Sequence, residues 1–319
     1  MKLFYFLQFA FLIIPSLTYS QQTNYKNQFG FRSDNDAYLA YGQDRYYTNG
    51  LFISFRRATD QSKLVKKLNK VIWEIEGGHK MYNPISGSII KIADVDRPFT
   101  AYLYGEGSIN LLFNSENALK VSLQAGTIGP DAKGKEVQEF LHNIVGFYEI
   151  KGWEYQLNNE TAINTTVDYK HFLHRSGSGT TDFTINSHLN LGNTFSGASL
   201  GVMFRAGDLR QLFHSASTES VISNKSSSQD INEKEFFFYA NPMLHYIAYD
   251  ATIQGGLFRN DKGPVTFDVK PFVFSQQAGL IYSKNRWTAD FSVVFNSREV
   301  RSTAKPHQYG SAAFYYSFN

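Results

Sequence analysis

A period-two alternation of apolar and polar residues constrains this chain more than any other feature. From Arg286 to Asn296, Trp287, Ala289, Phe291, Val293 and Phe295 alternate with Arg286, Thr288, Asp290 and Ser292, with Val294 the one exception. Leu119, Val121, Leu123 and Ala125 are interleaved in the same way with Lys120, Ser122 and Gln124. Phe183, Ile185, Leu189 and Leu191 stand against Thr184, Asn186, His188 and Asn190. Successive side chains of a strand point to opposite faces, so each such segment has one apolar and one polar face. In a soluble sandwich the apolar face is the core. In a membrane barrel it meets lipid, and the polar face lines the interior.

The start of the chain chooses between these two. Met1-Lys2 is followed by the apolar run "LFYFLQFAFLIIPSLTYS", with a small-residue exit at Ser20. This is the pattern of a secretory signal peptide over 1–20. Pro15 interrupts the run, and Gln21, Gln22 and Thr23 follow where an anchored helix would have a basic cluster. The mature chain, 21–319, contains no run of the roughly 18 apolar residues that a membrane helix needs. Its mean hydropathy is negative, yet aromatic residues make up 16% of the sequence. An exported, aromatic-rich chain without a spanning helix points to a transmembrane antiparallel β-barrel of the bacterial outer membrane. There are no cysteines, so disulfides do not hold the fold. The net charge of +3 is too small to argue for nucleic acid.

The fold class is therefore all-β, with about twelve alternating segments. They lie near 25–33, 48–58, 70–82, 99–113, 116–127, 159–172, 181–192, 195–206, 235–252, 269–283, 285–297 and 307–318. An even count suits a barrel closed by its last strand, in which Ala312, Phe314, Tyr316 and Phe318 face lipid. The links near 34–47, 83–98 and 128–158 are long, and strand parity puts all three on one, outer side. The Ser/Thr/Asn-rich link 207–234 breaks the rule, since parity puts it at the periplasmic end. Its composition reads as a flexible polar loop.

The outer links carry the chemistry-bearing residues. Asp34, Asn35 and Asp36 place three oxygen-bearing side chains at a strand end. Such oxygens suit a hard cation such as Ca²⁺ and equally make an Asx-rich turn. In the third link, "GTIGPDAKGKEVQEFLH" stops a strand at Gly129-Pro130 and opens a helix near 134–146. Val137, Leu141, Ile144 and Val145 share one face of that helix. Gln138 and His142, four apart, share another. A single helical histidine is either a surface residue or a catalytic base, and parity sets this one at the same barrel mouth as Asn35, Asp36 and Thr48. Gly197-Ala198-Ser199-Leu200-Gly201 matches the serine-hydrolase elbow, but it lies in an alternating strand with no helix after it, so Ser199 is not expected to be a nucleophile. His79 and His188 have no ligand-spaced partner and read as structural.

The motifs "DNDAY", "DRYYTNG", "DRPFTAYLY", "GTIGPDAKGKEVQEFLH" and "GWEYQLNNE" occur in this order from Phe31 to Glu160. In them the chain resembles the lipid A 3′-O-deacylase (LpxR-like) family of outer-membrane enzymes. The resemblance implies a twelve-stranded barrel with its site in the first three long outer loops, between the wall and a loop helix. It implies His142 as general base, Asn35 and Asp36 as the Asn-Asp pair that holds Ca²⁺, and Thr48 as the site threonine. Lys91 stands for the family's lysine in a shorter loop. Gln138 and Glu149 join it as substrate-binding candidates. Glu149 is also placed to orient the histidine, although Tyr148 takes the nearest aligned position. The implied activity is hydrolysis of the 3′-linked acyloxyacyl ester of lipid A by a carboxylic ester hydrolase acting in the outer leaflet as a monomer. Arg45, Lys133, Lys135 and Arg97 are candidates for contacts with lipid A phosphates. A phospholipase of the same chemistry and a non-enzymatic pore are the rival readings.

Overall fold

The computed structural model describes residues 24–40, 44–225 and 234–319. The expected signal peptide and its cleavage site fall outside this range. Twelve strands follow one another: β1 (Asn27–Asn35), β2 (Tyr46–Ala58), β3 (Leu68–Asn83), β4 (Thr100–Phe113), β5 (Ala118–Ile128), β6 (Glu160–Arg175), β7 (Thr181–Gly192), β8 (Phe195–Asp208), β9 (Glu235–Asp250), β10 (Phe272–Lys284), β11 (Trp287–Asn296) and β12 (His307–Phe318). Each pairs antiparallel with its neighbours in sequence. β12 closes on β1 with Phe31 opposite Phe314, leaving a barrel with no free edge. All twelve alternating segments of the sequence are strands.

The period-two pattern sorts the side chains as expected for lipid outside and water-like polarity inside. Phe29, Phe31, Ile53, Ile75, Leu103, Ile109, Leu123, Leu200, Phe291, Val293 and Phe314 are exposed on the outer face. A soluble protein would bury such a band, because each of these side chains loses roughly 1.5–3 kcal/mol by staying in water. The inner face carries Arg56, Glu74 and Lys120 in contact with one another, with Lys120 Nζ 3.4 Å from Glu74. A polar cavity of about 710 Å³ occupies the lumen, lined in part by Arg32, Lys80, Asp168, His188 and Tyr239.

The link after β8 departs from the sequence expectation. Parity places it at the periplasmic end, as read, but residues 209–225 fold up into the barrel as a plug. Leu212 and Ile222 are fully buried. Ile222 and Phe213 pack on Ala58, Ile72, Leu112 and Ala118 of the wall. Glu219 reaches both Arg56 and Lys120 at 2.9 Å. Lys170 donates to the Ser217 carbonyl at 2.6 Å, and Asn110 to the Thr218 carbonyl at 2.9 Å. The hydroxyls satisfy the backbone of tight turns, as where Ser215 Oγ accepts from the Ser217 N–H. A polar composition reads as solvent-facing only if the interior is apolar. Here the interior is polar, and a Ser/Thr-rich segment is at home in it.

At the opposite end the third outer link forms helix α1 (Gly134–Val145). It packs against the outside of the wall rather than over the mouth. Ala101 and Met81, whose side chains point outward from β4 and β3, are buried with Ala132, Trp153, Ile89, Val95, Phe99 and Ile150 in a cluster joined by Val137 and Leu141. Gly134 is required there: a Cβ would stand 2.4 Å from the Trp153 ring and 2.7 Å from Ala101. Ile144 does not join this cluster and is half exposed.

Candidate active site

The site lies on the outer surface of the wall, between the tops of β1–β3 and helix α1. β1 ends at Asn35, whose backbone is extended and whose Oδ1 accepts the Ala37 N–H at 2.7 Å. Asn35 thus starts a 3-10 turn that tucks Asp36 into the protein, where it is 5% exposed. Asp36 accepts from the Arg45 N–H at 2.9 Å, and its Oδ1 lies 3.3 Å from the Thr48 hydroxyl oxygen. Thr48 owes its direction to a bulge. Tyr47 pairs with Tyr82 and Asn49 with Met81, so Thr48 is the extra residue of β2. Bulges re-aim side chains in this way beside functional sites.

Asp44 is the hub. Its Oδ2 accepts from Tyr148 OH at 2.6 Å and from Gln138 Nε2 at 2.8 Å, and lies 3.2 Å from His142 Nε2. Its Oδ1 accepts from the Thr48 hydroxyl and, at 3.1 Å, from Asn83 Nδ2. Gln138 is fixed from behind, because Trp153 Nε1 donates to its Oε1 at 2.7 Å. His142 Nδ1 lies 2.9 Å from the Tyr148 carbonyl. A carbonyl only accepts, so Nδ1 carries the proton and Nε2 is the nitrogen turned to the site. Gly87 closes one side. A Cβ there would lie 2.5 Å from Asp44 Oδ2 and 2.8 Å from Tyr148 OH.

Electrostatics mark the same group. Burial pushes the Asp36 carboxyl up to about 8 against the lowering effect of the Arg45 N–H, and the nearby Asp44 charge pushes it the same way. Burial opposes charge on Asp44 too, but hydrogen bonds from the protonated His142 ring, Thr48 and Tyr148 outweigh it and hold that carboxyl below its ordinary value. Burial alone would lower the His142 pKa. Asp44 and the Tyr148 carbonyl outweigh it and raise the imidazole above its usual range. Two buried carboxylates joined through one hydroxyl form a site short of positive charge. The buried Asn83 Oδ1 has no hydrogen-bond partner. Among the described residues no three His, Asp or Glu side chains converge on a point. A cation here would therefore rest on Asp36 and Asp44 with neutral oxygens from Thr48 and Asn83, a hard donor set that fits Ca²⁺.

The structure thus brings together Asp36, Thr48, Gln138 and His142, with Asn35 holding the turn beneath them. It does not bring in Lys91 or Glu149. Lys91 is exposed ahead of a 3-10 turn, and Glu149 is exposed and paired with Lys151 at 3.3 Å. Arg97 is not at the headgroup surface. It is 1% exposed, lies over the Tyr82 ring at 4.2 Å and donates to Thr252 at 2.9 Å. Asp44, Asn83 and Gly87 escaped the sequence reading, although Asp44 opens the "DRYYTNG" run. Ser199 sits within β8 and shares a hydrogen bond with His245 Nδ1 at 2.7 Å. The other nitrogen of His245 meets the Ser275 hydroxyl at 2.7 Å, so no carboxylate completes a triad. His79 braces the turn before α1 through the Ala132 carbonyl at 2.7 Å.

The model of the family described as outer membrane protein LpxR matches residues 4–318. The chain belongs to the LpxR family. The solved structure of LpxR from Salmonella typhimurium is similar over 91% of this chain and 100% of that chain, with 19% identity and a TM-score of 0.68. The LpxR-family fold, a closed twelve-stranded outer-membrane barrel, is shared. The β domain of the Bordetella autotransporter BrkA also matches, over 92% of this chain and 99% of that one, with 8% identity and a TM-score of 0.47. Among curated proteins, none matches the sequence.

Proposed function

We propose that this LpxR-family barrel is an outer-membrane lipid A deacylase that hydrolyses the 3′-linked acyloxyacyl ester with His142 as general base. One observation carries the reading: His142, Asp44, Gln138 and Thr48 meet on the outward side of the wall, just above the lipid-facing band. An ester of a lipid in the outer leaflet reaches that place by lateral diffusion.

The Tyr148 carbonyl fixes the His142 tautomer, leaving Nε2 to take a proton from water as the water oxygen bonds to the ester carbonyl carbon. Collapse of the tetrahedral intermediate breaks the bond to the sugar oxygen, and His142 returns the proton to that leaving oxygen. The Tyr148 carbonyl orients the ring, and Asp44, 3.2 Å from Nε2, stabilises the imidazolium formed between these two transfers. Gln138 and Tyr148 hold Asp44 in place. When bound, Ca²⁺ would neutralise the Asp36–Asp44 pair and supply positive charge near the developing oxyanion. No serine nucleophile is needed.

Mass spectrometry of lipid A and phospholipids from cells expressing the protein tests this reading. The wild type should remove the acyloxyacyl chain from lipid A, and His142→Ala should leave lipid A intact. Lysophospholipids with unchanged lipid A would replace the reading with a phospholipase.

A further inference from the structure

Helix α1 has an apolar edge that nothing among the described residues covers. At 100° per residue, Leu141, Val137, Ile144 and Phe140 form one continuous apolar arc, while Lys135, Glu139, Asn143 and Glu136 fill the opposite side. Leu141 and Val137 pack against the wall cluster. Phe140 and Ile144 are 63% and 50% exposed, and Phe147, just past the helix end, is 48% exposed. Large apolar side chains grouped at a surface mark a contact with something.

The height of the helix on the barrel identifies the partner. Gly134 of α1 lies against Ala101 on the outward face of β4. The next outward residue down that strand is Leu103, 43% exposed in the lipid-facing band. Two residues along a strand span roughly 7 Å. The first turn of the helix therefore sits about 7 Å above the nearest outward residue of the lipid-facing band, and the exposed Phe140 and Ile144 belong to the same outer surface of the barrel.

We propose that the Phe140–Ile144 edge is immersed in the acyl chains of the outer leaflet, making α1 an interfacial helix that floats at a fixed depth. This goes beyond the catalytic reading and does not depend on it. Its consequence for the site is a height gauge, because the same helix carries Gln138 and His142.

The chain has no cysteine, so single labels are clean. Nitroxide labels are placed on Phe140→Cys, Ile144→Cys, Leu103→Cys and Glu136→Cys in full-length barrels reconstituted into dioleoylphosphatidylcholine vesicles. Collision with oxygen and with a water-soluble nickel chelate is then read by electron paramagnetic resonance. Labels at 140 and 144 should favour oxygen over nickel as the Leu103 label does, while the label at 136 favours nickel. Labels at 140 and 144 that match the one at 136 would overturn the proposal. So would dipolar broadening at 140 that disappears on dilution with unlabelled protein, since that would show a second copy covering the face.

Discussion

The residue that organises the site is Asp44, and its role follows from its five neighbours rather than from its place in the sequence. Asp44→Asn preserves shape but removes the charge that stabilises the protonated form of His142. A loss of roughly 10²-fold or more in lipid A turnover is expected, with the barrel still folded by its heat-modifiable migration on gels. The pH profile carries a sign. Catalysis needs a neutral His142, and its pKa is raised by Asp44 and the Tyr148 carbonyl. Activity should therefore be low in acid and climb as His142 loses its proton, and a rate that is flat through the histidine range would argue against His142 as the base. Gly87→Ala should cost on the order of 10- to 100-fold by pushing on the Asp44 carboxylate, without unfolding the barrel. His142, Asp36 and Thr48 stood out in the sequence because their motifs share one barrel rim. Asp44 did not, because a carboxylate in a link reads as solvated until the helix that covers it is in place.

At the scale of elements, the strands were the legible part. Their side chains obey one rule along the whole barrel, lipid outside and polar inside, so the period-two pattern survives nearly intact. What breaks the rule is local. The extra residue at Thr48 appears only as a register change between β2 and β3, and the sequence "YYTNG" looks like an ordinary strand start. Helix α1 was visible from its 3.6-residue spacing, but not its docking on the outside of the wall, which depends on Gly134 and Trp153 fitting together. Trp153→Phe tests that docking. It removes the indole N–H that donates to Gln138 and leaves a gap where the larger ring packs against Gly134, which together should cost on the order of 2–3 kcal/mol of stability. It should also lower turnover several-fold, read by lipid A mass spectrometry, because the Gln138 amide is then free to turn away from Asp44.

For the whole molecule, two measurements separate an enzyme from a pore. Chelation with EGTA should stop deacylation and added Ca²⁺ should restore it, with Asp36→Asn needing more Ca²⁺ for the same rate. In planar bilayers the wild-type barrel should show no steady conductance, since residues 209–225 fill its periplasmic end. Glu219→Ala removes one of the two carboxylates, Glu219 and Glu74, that bridge Arg56 and Lys120. It should destabilise the barrel by on the order of 2 kcal/mol in thermal unfolding. That plug was the least legible part of the chain, because composition alone cannot tell a polar segment in water from one in a polar lumen. Its consequence reaches the cell that carries the protein. An enzyme that works on the membrane's own lipid gains from every further copy in the leaflet, whereas each open barrel would be a leak for small polar solutes. A corked scaffold separates dosage from permeability, so the cell can raise expression without weakening the barrier that the enzyme is there to reshape.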